Sequence, residues 1–235
     1  MRKLSIFAAA ALVCCSQPAC QEREDRSQPG ARTADSSAPG ATPAAPKPPG
    51  GADNRPVLVC FGDSLTAGQG LDPGQNFPDL LQQDLDRRGY RYRVVNLGSS
   101  GDTTQDGLAR LPQVIAERPA IVLLELGAND GLRGQPVPGI ESNLAQMIEA
   151  LQKSGARVVL AGITLPPNYG PEYVRQFDAI YRNLAARYKL TLIPFLLEGV
   201  GGNTKFMQRD GLHPNAEGTR IVEATVMKAL EPLLK

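Results

Sequence analysis

Residues 57–65 read Val57-Leu58-Val59-Cys60-Phe61-Gly62-Asp63-Ser64-Leu65. Five apolar residues in succession, with no polar alternation, predict a strand covered on both faces, as in a parallel sheet between two layers of helices. The run stops at a glycine, and Gly-Asp-Ser then predicts a turn that caps a helix. A strand that feeds a helix through a short polar turn is half of a βαβ unit, so the rest of the chain is read for repetitions of it.

They follow in order. Asn76–Arg88 has helical spacing, with Phe77, Leu80, Leu81 and Leu85 on one face, and Tyr92–Leu97 is a second strand. Asp102–Glu117 is helical, with Leu108, Leu111, Val114 and Ile115 inward, and Pro112 is expected to bend or interrupt it. Ala120–Leu126 is a strongly apolar central strand. Ile140–Lys153 is amphipathic and closed by Gly155. Arg157–Ile163 is a strand, Glu172–Tyr188 a helix, Leu190–Phe195 a fifth strand, and a last helix runs from about Ala216 to Leu234. Strands alternating with helices imply parallel pairing. The expectation is an α/β, three-layer, flavodoxin-like fold: a five-stranded parallel sheet with helices on both faces. Such sheets bind ligands beyond the C-terminal ends of their strands.

The unusual residues fall at those ends. The first strand runs into Gly62-Asp63-Ser64-Leu65, the second into Ser99-Ser100-Gly101-Asp102, the third into Gly127-Ala128-Asn129-Asp130, and the fifth precedes Asp210-Gly211-Leu212-His213-Pro214. His213 is the single histidine of the chain, so an imidazole-activated serine has one candidate base. Asp210, three residues earlier, is within one turn of the ring and could fix its tautomer. Ser64, at a strand end and a helix start, is the candidate nucleophile. Its own N–H, the Gly101 N–H and the Asn129 side-chain amide could form an oxyanion hole. Taken singly, Gly101 reads equally as a turn glycine and Asn129 as a loop amide that satisfies backbone. Asp63 and Asp130 read as loop-holding carboxylates. After the fourth strand, Leu165, Pro166 and Tyr169 supply an apolar, stiff segment on the same rim, a candidate substrate wall or a plain cover for the sheet.

These segments resemble the SGNH (GDSL) hydrolases. Gly62-Asp63-Ser64-Leu65, Gly101, Gly127-Ala128-Asn129-Asp130 and Asp210-Gly211-Leu212-His213-Pro214 match four of that family's blocks in order. Further stretches, among them Gly107–Pro112, Glu125–Gly127, Asn129–Gly134 and Leu165–Gly170, are similar to a bacterial periplasmic subgroup with thioesterase, lysophospholipase and arylesterase activity. Ala128 departs from that subgroup's usual glycine and is expected to be tolerated if its φ is negative. The resemblance implies acyl transfer to water without a cofactor. It gives Ser64, His213 and Asp210 as the triad and Ser64, Gly101 and Asn129 as the oxyanion donors. The expected substrate is a small-molecule or lipid ester or thioester of medium to long acyl chain. A carbohydrate acetylesterase is the alternative, and a non-catalytic envelope binding protein a more distant one. Position 66 is Thr, so the GxSxG elbow of another hydrolase fold is absent.

Composition bounds the rest. The 235 residues carry a formal net charge of +1, which provides no basic field for nucleic acid. No phosphate-loop or dinucleotide motif occurs, and one histidine and one body cysteine leave no expected metal site. Residues 1–20 join Arg2-Lys3 to a short apolar run, which reads as a secretory or lipoprotein signal. Cys15 or Cys20 would be the lipidated residue of an anchored form; otherwise the product is periplasmic or secreted. Residues 21–55, rich in Pro, Ala, Gly and Ser, read as a disordered tether before a hydrolase domain at 56–235.

Overall fold

A computed structural model describes residues 53–235. The expected signal, Cys15, Cys20 and nearly all of the 21–55 segment lie outside the described residues.

The elements run β1 (Val57–Gly62), α1 (Ser64–Ala67), α2 (Phe77–Arg87), β2 (Arg93–Gly98), α3 (Thr104–Ala116), β3 (Ile121–Glu125), α4 (Ala128–Leu132), α5 (Val137–Lys153), β4 (Arg157–Ala161), α6 (Pro171–Tyr188), β5 (Thr191–Ile193) and α7 (Ala216–Leu230). The five strands form one parallel sheet in the order β2-β1-β3-β4-β5. β1 and β3 lie inside the sheet and are buried along their whole length, which is why both read as unbroken apolar runs. Cys60 stands between Asn96 on one side and Leu123 on the other.

Crossovers between parallel strands are right-handed. The step from β1 to β2 runs one way across the sheet and every later step runs the other, so α2 falls on the opposite face from α3, α5 and α6. The packing agrees: α3 lies on α5 and α5 on α6, while α2 pairs with α7. The reversal leaves a crevice beyond the C-terminal ends of β1 and β3, where polypeptide departs to both faces.

Local chemistry sets the boundaries that differ from the sequence reading. α3 continues unbroken through Pro112. The ring removes the donor that would reach the Leu108 carbonyl, but Leu111 and Val114 on either side are buried and hold the helix in place. β5 stops at Ile193 because Pro194 has no N–H for the ladder. α5 opens at Val137, three residues early, with proline in its first turn. α7 ends at Leu230 and finishes in a 3₁₀ turn around Pro232. The short helix α4 and a 3₁₀ turn at Pro167–Tyr169 were not expected. Ala128 is the first residue of α4 and takes no positive φ, whereas Gly127 before it sits at φ 120°.

Candidate active site

The rim beyond β1 and β3 is built from the four strand-end loops. Asp63 caps α1, its Oδ1 accepting the Leu65 N–H at 3.0 Å, and so fixes Ser64 as the first helical residue. His213 is held by a small antiparallel return: Gln208 N–H donates to the His213 carbonyl at 2.8 Å, and Met207 bridges Pro214. Gly211, at φ 68°, lets the chain reverse between Asp210 and His213.

The imidazole lies between serine and carboxylate. His213 Nε2 is 2.9 Å from Ser64 Oγ, and Nδ1 is 2.7 Å from Asp210 Oδ2. An ionised carboxylate only accepts, so Nδ1 carries the proton and Nε2 keeps its lone pair for the hydroxyl. Asp210 Oδ1 also accepts the N–H groups of Leu212 at 2.9 Å and His213 at 3.1 Å. Burial pushes the Asp210 carboxyl upward, but the His213 ring and these two N–H groups outweigh it and leave it at about 2.

Beside Ser64 stand two backbone donors. Among the described residues neither the Ser64 N–H nor the Gly101 N–H has a hydrogen-bond partner. Gly101 sits at φ 87° with nothing within 4 Å of the place a Cβ would occupy, so its peptide is bare on that side. Asn129, in the first turn of α4, is differently engaged from the sequence expectation of an amide aimed at substrate. Its Nδ2 donates to Asp63 Oδ2 at 3.2 Å and to the Asp102 carbonyl at 3.0 Å. It borders the same cavity, so a substrate oxygen would share a hydrogen with one of these acceptors. Asp130 faces away and ties α4 to α3, accepting the Thr104 N–H at 2.8 Å and hydroxyl at 2.6 Å.

The sequence reading gave no role to one buried acid of the site, which it quoted only within a family-like stretch. Glu125, the last residue of β3, is buried beneath the Ser64 turn, where its Oε2 accepts the Thr66 hydroxyl at 2.7 Å and the Asp63 N–H at 3.3 Å. Burial first, and then the neighbouring Asp63, hold its carboxyl well above the usual range; burial raises Asp63 too. Gly62 makes room for it, since a Cβ there would stand 2.4 Å from Oε2. The available signal was a glutamate at the end of an apolar run.

Ser64, His213, Gly101 and Asn129 border a cavity of about 580 Å³ whose remaining wall is largely apolar, including Leu132, Ile163, Phe195 and Leu197. Leu165 and Pro166 are on this wall. Tyr169, expected there, is not: its hydroxyl donates to the Leu132 carbonyl at 3.0 Å and braces the loop from outside. Among the described residues no group of three His, Cys, Asp or Glu side chains is placed to share a metal ion.

Acyl transfer requires a nucleophile, a base and donors for a developing oxyanion. Groups able to fill those parts converge here beyond the C-terminal ends of the interior strands, which puts the chain in the class of α/β serine-type hydrolases. Residues 60–221 match the GDSL-like Lipase/Acylhydrolase family. The chain is 50% identical over 180 residues to Esterase TesA of Pseudomonas aeruginosa, covering 76% of this chain and 89% of that one. It is 40% identical over 179 residues to "Thioesterase 1/protease 1/lysophospholipase L1" of Escherichia coli, covering 76% and 85%. A crystal structure of TesA superposes with a TM-score of 0.74 at 49% identity, covering 76% of this chain and 99% of that one. The chain belongs to the GDSL-like lipase/acylhydrolase family and is an ester hydrolase.

Proposed function

We propose that the chain cleaves carboxylic esters and thioesters of medium to long acyl chains through an acyl-enzyme on Ser64. The observation that carries this reading is the imidazole of His213, bonded to Ser64 Oγ and Asp210 at once, on the wall of a large apolar cavity. Ser64 Oγ attacks the carbonyl carbon as its proton passes to His213 Nε2. The bond to the leaving oxygen or sulfur then breaks, and His213 returns the proton to that atom. Water, deprotonated by His213, attacks the acyl carbon; the carboxylic acid leaves and the Ser64 hydroxyl is restored. Asp210 keeps Nδ1 protonated and stabilises the imidazolium. The N–H groups of Ser64 and Gly101 and the Asn129 amide hold the oxyanion.

The apolar wall supports the chain-length preference, since each fully buried methylene contributes about 0.8 kcal/mol. Ser64→Ala and His213→Ala are each expected to lose about 10⁴-fold or more in kcat with unchanged circular dichroism. A fluorophosphonate should label the wild type at Ser64 alone, and p-nitrophenyl esters should improve in kcat/KM from acetate to longer acyl groups. Labelling elsewhere, or turnover retained by Ser64→Ala, sinks the mechanism. A preference for acetate sinks the acyl-chain reading and favours a carbohydrate acetylesterase.

The proposal extends to location. The Arg2-Lys3 charge, the apolar run after it and the Pro- and Ala-rich segment to position 55 support an exported product, periplasmic or anchored through lipidated Cys15 or Cys20. Among the described residues no helix is long and apolar enough to cross a membrane.

A further inference from the structure

The loop that carries Gly101 is fastened to the sheet by one side chain. Arg110, on α3, sends Nε to Asp102 Oδ2 at 2.6 Å, one terminal nitrogen to the Leu97 carbonyl at 3.2 Å and the other to the Gly62 carbonyl at 3.3 Å. The last two acceptors belong to the penultimate residue of β2 and the final residue of β1, at the crevice where the strand order reverses. The guanidinium also lies over the Phe61 ring, 5.0 Å from its centroid. A planar fork spreads its donors over three nitrogens and so spans three separated acceptors while lying flat on a ring; an ammonium, with its donors on one atom, cannot span them.

The far side of Asp102 reaches the reacting centre. Its other carboxylate oxygen accepts the Ser99 hydroxyl at 2.8 Å, and Ser99 N–H donates to the same Gly62 carbonyl that Arg110 holds, at 3.0 Å. The Asp102 main-chain carbonyl accepts Asn129 Nδ2. Among the described residues Gly101, one residue earlier, has no partner on its own N–H, and Arg133 holds its carbonyl at 3.1 Å. The direction of the Gly101 N–H and the tilt of the Asn129 amide therefore depend in part on where Asp102 is held, beside the holds of Arg133 on Gly101 and of Asp63 on Asn129.

We propose that Arg110 is a positioning residue for the oxyanion side of the site, setting the Gly101 N–H and the Asn129 amide by clamping the Ser99–Asp102 loop to the ends of β1 and β2. This rests on the reading of Gly101 and Asn129 as oxyanion donors. Such donors act only in the transition state, so displacing them lowers kcat and leaves ground-state binding alone.

The test compares Arg110→Ala, Arg110→Lys, Asn129→Ala and the double variant Arg110→Ala/Asn129→Ala, with kcat, KM and Tm measured on one p-nitrophenyl ester. Arg110→Ala is expected to lose about tenfold to a hundredfold in kcat, the scale of a small misplacement, with KM nearly unchanged. Arg110→Lys should lose kcat as well, since an ammonium carries its three N–H donors on one atom and cannot stand at the three places from which Nε and the two terminal nitrogens reach their acceptors. Guanidinium at concentrations far below denaturing should restore part of the Arg110→Ala rate and nothing in the wild type. The Arg110→Ala loss should shrink in the Asn129→Ala background, because both act on one donor set. Wild-type kcat in Arg110→Lys, or strictly multiplicative losses in the double variant, overturns the proposal. If Arg110→Ala does not fold, the Lys variant alone carries the test. Wild-type kcat in Asn129→Ala would overturn the donor reading itself, and this proposal with it. A loss at Asn129 with none at Arg110 overturns this proposal alone.

Discussion

Two carboxyl groups of the site sit at opposite extremes. Asp210, supplied with three N–H donors, stays ionised to about pH 2, so its partnership with His213 is lost only in strong acid. Glu125 has two donors and no solvent, and it keeps its proton well into the range where an exposed glutamate is charged. The linkage follows from the sign of that shift. An unfolded chain releases the Glu125 proton near pH 4.3, while the folded chain retains it to higher pH. Over that window the folded state binds more protons, so stability falls as pH rises, by about 1.4 kcal/mol per unit for a whole proton. Glu125→Gln keeps an acceptor for Thr66 and Asp63 and removes the titration. It is expected to be more stable than wild type at pH 8, with the difference closing towards pH 4, in urea melts across that range. Parallel stability curves at every pH would refute the buried acid. His213 was legible in the sequence because it is unique, and Asp210 because it is close by. Glu125 and Arg110 were not, because their partners lie as many as 62 and 48 positions away and include main-chain groups that only the folded sheet brings near.

Among the elements, those decided by a long apolar period were legible, and those decided by one or two residues were not. β1 and β3 announce themselves because both faces are covered. α4 has five residues, and no period can be read from so few. The Leu165–Tyr169 segment shows the same limit. Its composition marked it as apolar and stiff, but not that Tyr169 would turn back to the Leu132 carbonyl and leave Leu165 and Pro166 on the cavity. Leu165 is nearly buried and leans on Gly131, where an added Cβ would come within 2.7 Å of its Cδ2. Shortening it widens the wall without touching Ser64 or His213. Leu165→Ala is therefore expected to change relative kcat/KM among long-chain p-nitrophenyl esters more than it changes acetate hydrolysis, read from a chain-length series on both proteins. A profile that keeps its shape while falling evenly would remove Leu165 from the acyl wall.

At the scale of the whole molecule, the parallel sheet with helices on both faces was legible from the alternation of elements, and the right-handed crossover fixes which face each helix takes once the strand order is known. What precedes the described residues is read from the sequence alone. If the product is lipid-anchored, mass spectrometry of the native N-terminus should find a diacylated Cys15 or Cys20; a cleaved, unmodified end would exclude the anchor and leave a soluble exported enzyme.

The contact between His213 and Ser64 spans 149 positions of the chain. Synthesis delivers the serine early, with the first strand of the sheet, and the imidazole only in the last tenth of the polypeptide. On the proposed mechanism, Ser64 has no base until the return around Met207 and Pro214 has brought His213 to it, whatever state the rest of the sheet has reached. A stalled or clipped chain that lacks this return is then expected to be inactive even with Ser64 in place. Hydrolysis in this molecule is a property of the finished chain, and its first appearance marks the moment at which the two ends of the fold have met.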